Sequence, residues 1–371
     1  MEGSSYEACT LAGNFNLNKL ILLYDSNDIC LDGSVSTTFN DDIKKRFESI
    51  NWNYIKVIDG NNVDEIDNAI NLAKKSDKPT IIEIKTIIGK DSIKEGTNKV
   101  HGTPLTSEDI TMVKSKLNLS LTPFDIDMNL VNEFRNNLKT RMKDKINVTI
   151  QEEINILSMK NSYYENIDET LRETNGKIMS EIANKMKYFI GGTADVSSST
   201  KAYLEGKDVF NKNNYFGRNI YYGVREHAMG AISNGIASCG INTFASTFLA
   251  FADYLKPAIR MSALMNLPVT YVFTHDSITI GSDGPTHQPI EQISMLRNIP
   301  NLKVFRPADA NEILGSWNEI LSKKGPSALI LSRNSSPLLK ESNPETLNEE
   351  IERLYHDGKI YLSEIPAIMK W

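Results

Sequence analysis

Residues 221–230 read Tyr-Tyr-Gly-Val-Arg-Glu-His-Ala-Met-Gly, and residues 244–254 read Phe-Ala-Ser-Thr-Phe-Leu-Ala-Phe-Ala-Asp-Tyr. Between them runs a helix-length stretch of small residues: Ala228, Gly230, Ala231, Ser233, Gly235, Ala237 and Ser238. Such a helix is small and apolar nearly all round, which predicts that it is buried and closely approached by other backbone. Glu226 stands at its start. Burying a carboxylate costs several kcal/mol unless it has a partner. Phe248, Phe251 and Tyr254 then recur every three residues, a spacing that puts side chains on one helical face or turn. These residues alone also fit a core carboxylate paired with Arg225 beside ordinary core aromatics.

Working outward, hydrophobic runs of strand length alternate with helical patterns on both sides. Upstream, Lys19–Asp25 is a continuous apolar run, as in a buried parallel strand. A helix is predicted over 4–17, with further helices over Asp41–Ile50 and Val63–Lys75. Strands are predicted at Tyr54–Asp59 and Pro79–Ile87. From residue 88 to about 161 the chain is more polar, with helical stretches at 107–118 and 126–143. Downstream, strands are predicted at Tyr188–Gly191, Asn219–Tyr222, Asn242–Ala245, Pro268–Thr274, Leu302–Arg306 and Ala328–Ser332. Helices at 169–186, 226–238, 250–265, 289–297 and 309–322 separate them. Short elements are also expected at Glu349–Tyr355 and Lys359–Ser363. The alternation reads as α/β with parallel sheets. The second half forms a complete doubly wound unit, whereas the first half begins in mid-sheet and is read as incomplete.

Composition narrows the function classes. The chain has 371 residues, 40% hydrophobic and 24% charged, as a globular protein has. A net charge of -6 offers no basic field for nucleic acid or an anionic membrane. Three scattered cysteines without CxxC spacing point to a reducing compartment and to no disulfide or metal framework. No apolar run reaches membrane-spanning length, and the first residues lack the pattern of a signal peptide. Cytoplasm is the expected location.

A second signature follows the first. It reads His275-Asp276-Ser277-Ile278, then Gly281-Ser282-Asp283-Gly284-Pro285-Thr286-His287-Gln288-Pro289-Ile290-Glu291. Together with Gly-Val-Arg-Glu-His and Ser-Thr-Phe-Leu-x-Phe-x-x-Tyr, it resembles the transketolases, across nearly the whole chain. The resemblance implies two doubly wound parallel-sheet domains of the thiamine-diphosphate-binding type, the first incomplete. Residues 1–88 would be a partial pyrophosphate-binding domain and 89–167 a loop and helical connector. Residues 168–336 would be the complete pyrimidine-binding domain, and 337–371 a linker opening a C-terminal domain.

The same resemblance implies transfer of a two-carbon ketol unit between sugar phosphates in the pentose phosphate pathway. The cofactor would be thiamine diphosphate with Mg²⁺, or Ca²⁺, in a homodimer whose active site lies at the subunit interface. Glu226 matches the glutamate that bonds the cofactor's aminopyrimidine, and Phe248, Phe251 and Tyr254 match the pocket around that ring. Asn27 and the Ile29 carbonyl match metal ligands, oxygen donors of the kind these cations take. Leu31 matches a thiazolium contact, and Asp195 a carboxylate near the cofactor and subunit interface. His101 and His287 match histidines lining the donor and phosphate path, and His275 one near the reacting carbonyl. Asp283 matches the carboxylate that recognises a substrate hydroxyl. Arg172, Ser199, His287 and Arg333 match a clamp for the acceptor phosphate, a task suited to arginine's two parallel donors. Four of the five histidines, His101, His227, His275 and His287, fall in matching segments. Glu2 and Glu7 match carboxylates of the dimer interface that link the two sites.

The family's metal-binding Gly-Asp-Gly would lie just before residue 1, so the isolated chain is expected not to turn over substrate. Alternatives are a non-catalytic remnant or a subunit needing partner chains. Dihydroxyacetone synthase and 1-deoxyxylulose-5-phosphate synthase are neighbouring enzymes, the latter disfavoured by the Asp276-Ser277 and Asp283–Pro289 context.

Overall fold

The computed structural model describes residues 3–143, 169–339 and 342. It falls into two compact units, one of residues 12–148 and one of residues 149–371 with residues 1–11. Helix α1 (Gly3–Asn14) opens the chain. It ends before the expected residue 17, and Asn16 turns the backbone into the left-handed region at φ 51°, a conformation asparagine tolerates.

The N-terminal unit has a parallel sheet of three strands: β1 (Ile21–Ser26), β4 (Asn53–Val57) and β5 (Thr80–Lys85), in the order β1-β5-β4. A short antiparallel pair, β2 (Ile29–Cys30) with β3 (Gly33–Ser34), follows β1. No periodic pattern announced this pair. Helices α2 (Ile43–Ser49) and α3 (Val63–Ala73) start at Asp42 and Asn62, whose side chains accept from the backbone N–H three residues on. This is the expected capping chemistry. Val57, Ala69, Ala73, Ile82 and Ile84 form a core between α3 and the sheet. Strand β1 is the apolar run expected, and it is left partly uncovered, as a sheet read as beginning in mid-sheet implies. It pairs only with β5 among the described residues, and Leu23 is 51% exposed. Two further helices, α4 (Ser107–Lys116) and α5 (Met128–Lys143), complete this unit.

The C-terminal unit carries six parallel strands: β6 (Phe189–Thr193), β7 (Asn219–Tyr221), β8 (Asn242–Phe248), β9 (Val269–Thr274), β10 (Lys303–Phe305) and β11 (Ser327–Ile330). Their order is β10-β11-β9-β8-β6-β7. Helices α6 (Leu171–Lys185), α7 (Ser197–Thr200), α8 (Glu226–Ser238), α9 (Ala252–Leu264), α10 (Gln292–Arg297) and α11 (Ala310–Ser322) connect them. One core packs α6 and α11 on one face, with Trp317, Phe189 and Phe244 in it. The Trp317 indole N–H donates to Asn175 Oδ1 at 2.8 Å, so its one polar atom is satisfied.

On the opposite face α8 lies against α9. A Cβ on Gly230 would come within 2.6 Å of Leu255 and 2.7 Å of Ala258, so only glycine permits this approach. Asn234 Nδ2 donates to the Ala258 carbonyl at 2.8 Å, tying the two helices. Helix α8 is not buried all round, as its composition predicted. Ala228, Met229, Gly230, Ser233, Asn234 and Ala237 are buried, but Ala231, Gly235 and Ser238 are exposed. Small residues lack the polar marker that would distinguish an outer face. The residues of Glu349–Tyr355 and Lys359–Ser363 lie outside the described ones.

Strand order fixes where a site can form. The chain steps from β6 outward to β7, then returns to place β8 on the other side of β6. That reversal is a switch point, the place beyond the carboxyl ends of the strands where sheets of this kind bind ligands.

Candidate active site

Every strand of the C-terminal unit is parallel, so all of its carboxyl ends lie along one edge. Asp195 and Ser199 follow β6, Glu226 follows β7, Phe248 ends β8, His275 follows β9 and Arg333 follows β11. One edge thus gathers side chains that are far apart in sequence.

Gly223 makes the turn into Glu226, at φ 68°, and a Cβ there would meet the Arg225 guanidinium at 2.5 Å. Arg225 Nη1 donates to the Tyr222 carbonyl at 3.0 Å. No Arg225–Glu226 ion pair occurs among the described residues, which removes the simple paired-carboxylate reading. Glu226 is the first residue of α8 and is half-buried, where full burial was expected. Burial, and secondarily the nearby Glu7 carboxylate, raise its carboxyl pKa. Glu7 Oε2 also accepts from the Ala228 N–H at 3.4 Å, so Glu7 meets α8 of its own chain. Glu2 lies outside the described residues.

The three aromatics are not on one helix. Strand β8 runs on to Phe248, a single 3-10 turn carries Phe251, and Tyr254 sits in α9. The turn still stacks the first two rings, with centroids 5.9 Å apart and planes 23° from parallel. Tyr254 follows at 6.1 Å from Phe251 and is 63% exposed. Two histidines complete this wall. The His275 ring centre is 3.9 Å from that of Phe248, and the His287 ring stands edge-on to Phe251 at 5.1 Å.

His275 is buried and held at φ 59°, an uncommon conformation for a histidine. Burial first, then the Arg172 and Arg333 cations, push its pKa down to about 4, so it is neutral at physiological pH. The same electrostatics place Asp283 and His287 in its surroundings. Arg333 Nη1 donates to Asp283 Oδ2 at 3.0 Å and to the Ile280 carbonyl at 3.0 Å. Arg172 Nη1 donates to the Ser199 carbonyl at 2.7 Å, while its Nε is buried and has no partner among the described residues. Desolvation, and then Arg333, lower the Arg172 pKa. Two arginines, one carboxylate and two histidines therefore share one neighbourhood, a field suited to a polyhydroxylated anion. Asp195 is exposed at φ 65° beyond β6.

Four other expected residues belong to the N-terminal unit. Asn27 Oδ1 accepts from the Ile29 N–H at 3.0 Å, a tight turn after β1. Asp28 lies at φ 61° within it, and Lys85 Nζ reaches its carboxylate at 2.9 Å. The Leu31 side chain is 65% exposed, and its carbonyl accepts from Asn98 Nδ2 at 3.0 Å. His101 is half-buried at the end of a short turn, residues 98–100.

Sequence reasoning passed over Thr274 and Thr286. The Thr274 hydroxyl lies 2.8 Å from His275 Nδ1, and the Thr286 hydroxyl 2.9 Å from His287 Nδ1. A repeated Thr-His doublet was the available signal. Arg306 was also missed. It donates to Asp276 Oδ2 at 2.8 and 3.2 Å and anchors the segment after His275.

Residues 1–178 match the family described as transketolase, thiamine diphosphate binding domain. Residues 169–337 match transketolase, pyrimidine binding domain. The chain belongs, in these two domains, to the transketolase family. It is 41% identical over 366 residues to a transketolase of Staphylococcus epidermidis, covering 91% of this chain and 55% of that protein. To a Bacillus subtilis transketolase it is 39% identical over 378 residues, covering 94% and 56%. Among solved structures, Campylobacter jejuni transketolase superposes with a TM-score of 0.83 at 38% identity, covering 92% of this chain and 56% of that one. A Pichia stipitis transketolase in complex with sedoheptulose-7-phosphate gives 0.82 at 34% identity, covering 94% and 56%. The chain spans about half the length of the curated relatives it matches.

The residues present fit the pyrimidine end of thiamine diphosphate. Glu226 is a carboxyl that keeps a proton more readily than in water, and two stacked phenylalanines offer an aromatic wall. The match to the thiamine diphosphate binding domain covers residues 1–178, a range that includes the N-terminal unit.

Proposed function

We propose that this protein works as a transketolase, moving a two-carbon ketol unit from a ketose phosphate to an aldose phosphate. The observation that carries the reading is the cluster of Arg172, His275, Asp283, His287 and Arg333 beside Phe248, on the same sheet edge as Glu226. Thiamine diphosphate, when bound, supplies a nucleophilic carbon and an electron sink for cleaving a carbon–carbon bond beside a carbonyl.

The chain's own residues then divide the remaining work. Glu226 shares a proton with a ring nitrogen of the aminopyrimidine, a role its raised pKa suits. Phe248, Phe251 and Tyr254 receive that ring, while Leu31, Asp195 and His101 make further cofactor contacts. Neutral His275 hydrogen-bonds the substrate at its reacting carbonyl without adding charge, and His287 and His101 line the path. Asp283 selects a sugar hydroxyl. Arg172, Ser199 and Arg333 hold the phosphate, favoured by the fork geometry of guanidinium. Asn27 and the Ile29 carbonyl would offer oxygens to Mg²⁺ or Ca²⁺, cations that take oxygen ligands.

A homodimer with its active site at the subunit interface belongs to the same proposal. Val224, Ile278 and Ile290 of the C-terminal unit, exposed at 73%, 59% and 74%, offer apolar contacts to a partner in this proposal. A place in the pentose phosphate pathway and in the cytoplasm completes the reading, the latter resting on composition. The test is a chimera in which this chain replaces the matched portion of the Bacillus subtilis relative. Thiamine-diphosphate-dependent ketol transfer, reduced by orders of magnitude in Glu226→Gln, is expected. A folded, cofactor-binding chimera without ketol transfer would refute the assignment.

A further inference from the structure

We infer that Thr274 is a positioning residue, which donates its hydroxyl proton to His275 Nδ1 and so fixes the imidazole as the tautomer with its proton on Nε2. The inference rests on the proposed role of His275 only for its consequence, not for its geometry.

Thr274 is the last residue of β9, fully buried, with its hydroxyl 2.8 Å from His275 Nδ1. The hydroxyl proton must find an acceptor, because a buried donor left unmade costs the full desolvation of that group. Among the described residues, Nδ1 is the one hydrogen-bond partner recorded for this oxygen. If His275 carried its proton on Nδ1, the threonine oxygen would accept, and its own O–H would stay buried and unpaired. The opposite arrangement satisfies both groups. It requires an unprotonated Nδ1, which suits an imidazole kept neutral by burial and two arginines.

Two constraints make the hydrogen bond effective. The left-handed backbone at His275 leaves the ring beside the strand end that holds Thr274. The Phe248 ring at 3.9 Å restricts rotation on the other side. With Nδ1 occupied, Nε2–H remains as a donor, the form that can bond a carbonyl or alkoxide oxygen of a ketose. Thr286 stands in the same relation to His287 Nδ1, at 2.9 Å, but there the pair is exposed and water competes. The buried pair is therefore the one whose tautomer the protein dictates.

The test is ¹⁵N NMR of the imidazole nitrogens in the full chain at pH 7.5, which needs no cofactor or substrate. His275 is expected as a single Nε2–H tautomer. In Thr274→Val, which keeps the shape but not the donor, the ratio of Nε2–H to Nδ1–H should fall about five- to tenfold, the population equivalent of one such hydrogen bond. Thr274→Ser should restore it. An Nδ1–H tautomer in the wild type, or an unchanged ratio in Thr274→Val, would overturn the inference, and the wild-type spectrum decides even if the valine variant folds poorly. In the ketol-transfer chimera the same valine variant should lower kcat with little change in acceptor KM, again rescued by serine. Failure of the transketolase reading would show instead as loss of thiamine diphosphate dependence, with the His275 spectrum unaltered.

Discussion

Lowering the pH should destabilise the C-terminal unit specifically through His275. Its pKa is about 4 in the fold against an ordinary value of 6.5. Between those values the unfolded chain takes up a proton that the folded chain refuses, so stability falls as pH falls. Above about 6.5 the residue imposes no penalty, and below about 4 the penalty is complete. At 1.36 kcal/mol per pH unit, that interval is worth at most about 3 kcal/mol. Solvent screening of the half-buried arginines brings the figure to about 1–2 kcal/mol. The comparison is wild type against His275→Asn, since asparagine accepts the left-handed backbone and does not titrate. Urea unfolding at pH 7.5, 6, 5 and 4 gives the difference, in which other groups cancel to first order. The wild type should lose about 1–2 kcal/mol relative to the variant between pH 6.5 and 4. Parallel pH profiles would show that the ring is not held neutral in the fold.

Glu226 has the opposite sign. Its raised pKa means that stability present below about pH 4.5 is lost as the carboxyl ionises in the fold, so Glu226→Gln should be at least as stable as wild type at pH 8, by thermal unfolding, while weakening cofactor binding. Arg333→Ala should lower kcat/KM for phosphorylated acceptors by about 10- to 100-fold, the worth of a charge-assisted contact, and much less for unphosphorylated ones in the chimera; equal losses would make Arg333 structural. Gly230→Val should cost about 1–3 kcal/mol by overpacking α8 against α9, and an unchanged urea midpoint would contradict the close approach.

Much of the α/β alternation was legible because each strand of the C-terminal unit is a short apolar run between helical patterns. Helix α8 was read with its observed bounds, since Glu226 opens it and no strong breaker interrupts it. The bare edge at β1 was legible from a first half that begins in mid-sheet, although an apolar run by itself signals burial without saying whether neighbours exist to provide it. The spacing of aromatics at 248, 251 and 254 fits one helical face or a turn, and a strand end, a tight turn and a helix supply the stacking. Periodicity cannot separate those cases when the segment changes conformation within seven residues. That Asp283 and Arg333, 50 residues apart, lie on one rim followed from parallel topology once the strands were placed, but their direct pairing did not. Thr274 and Arg306 were not legible, because a threonine in a strand and an arginine after one are ordinary until their partners are seen.

Glu226 is proposed to receive the aminopyrimidine of thiamine diphosphate. Titration of thiamine diphosphate with Mg²⁺, up to millimolar, into chain labelled with ¹³C at the glutamate carboxyls tests that role. A saturable shift of the Glu226 carboxyl resonance, absent with Mg²⁺ and pyrophosphate alone, is the expected result. A Glu226 resonance that stays fixed throughout the titration would contradict it.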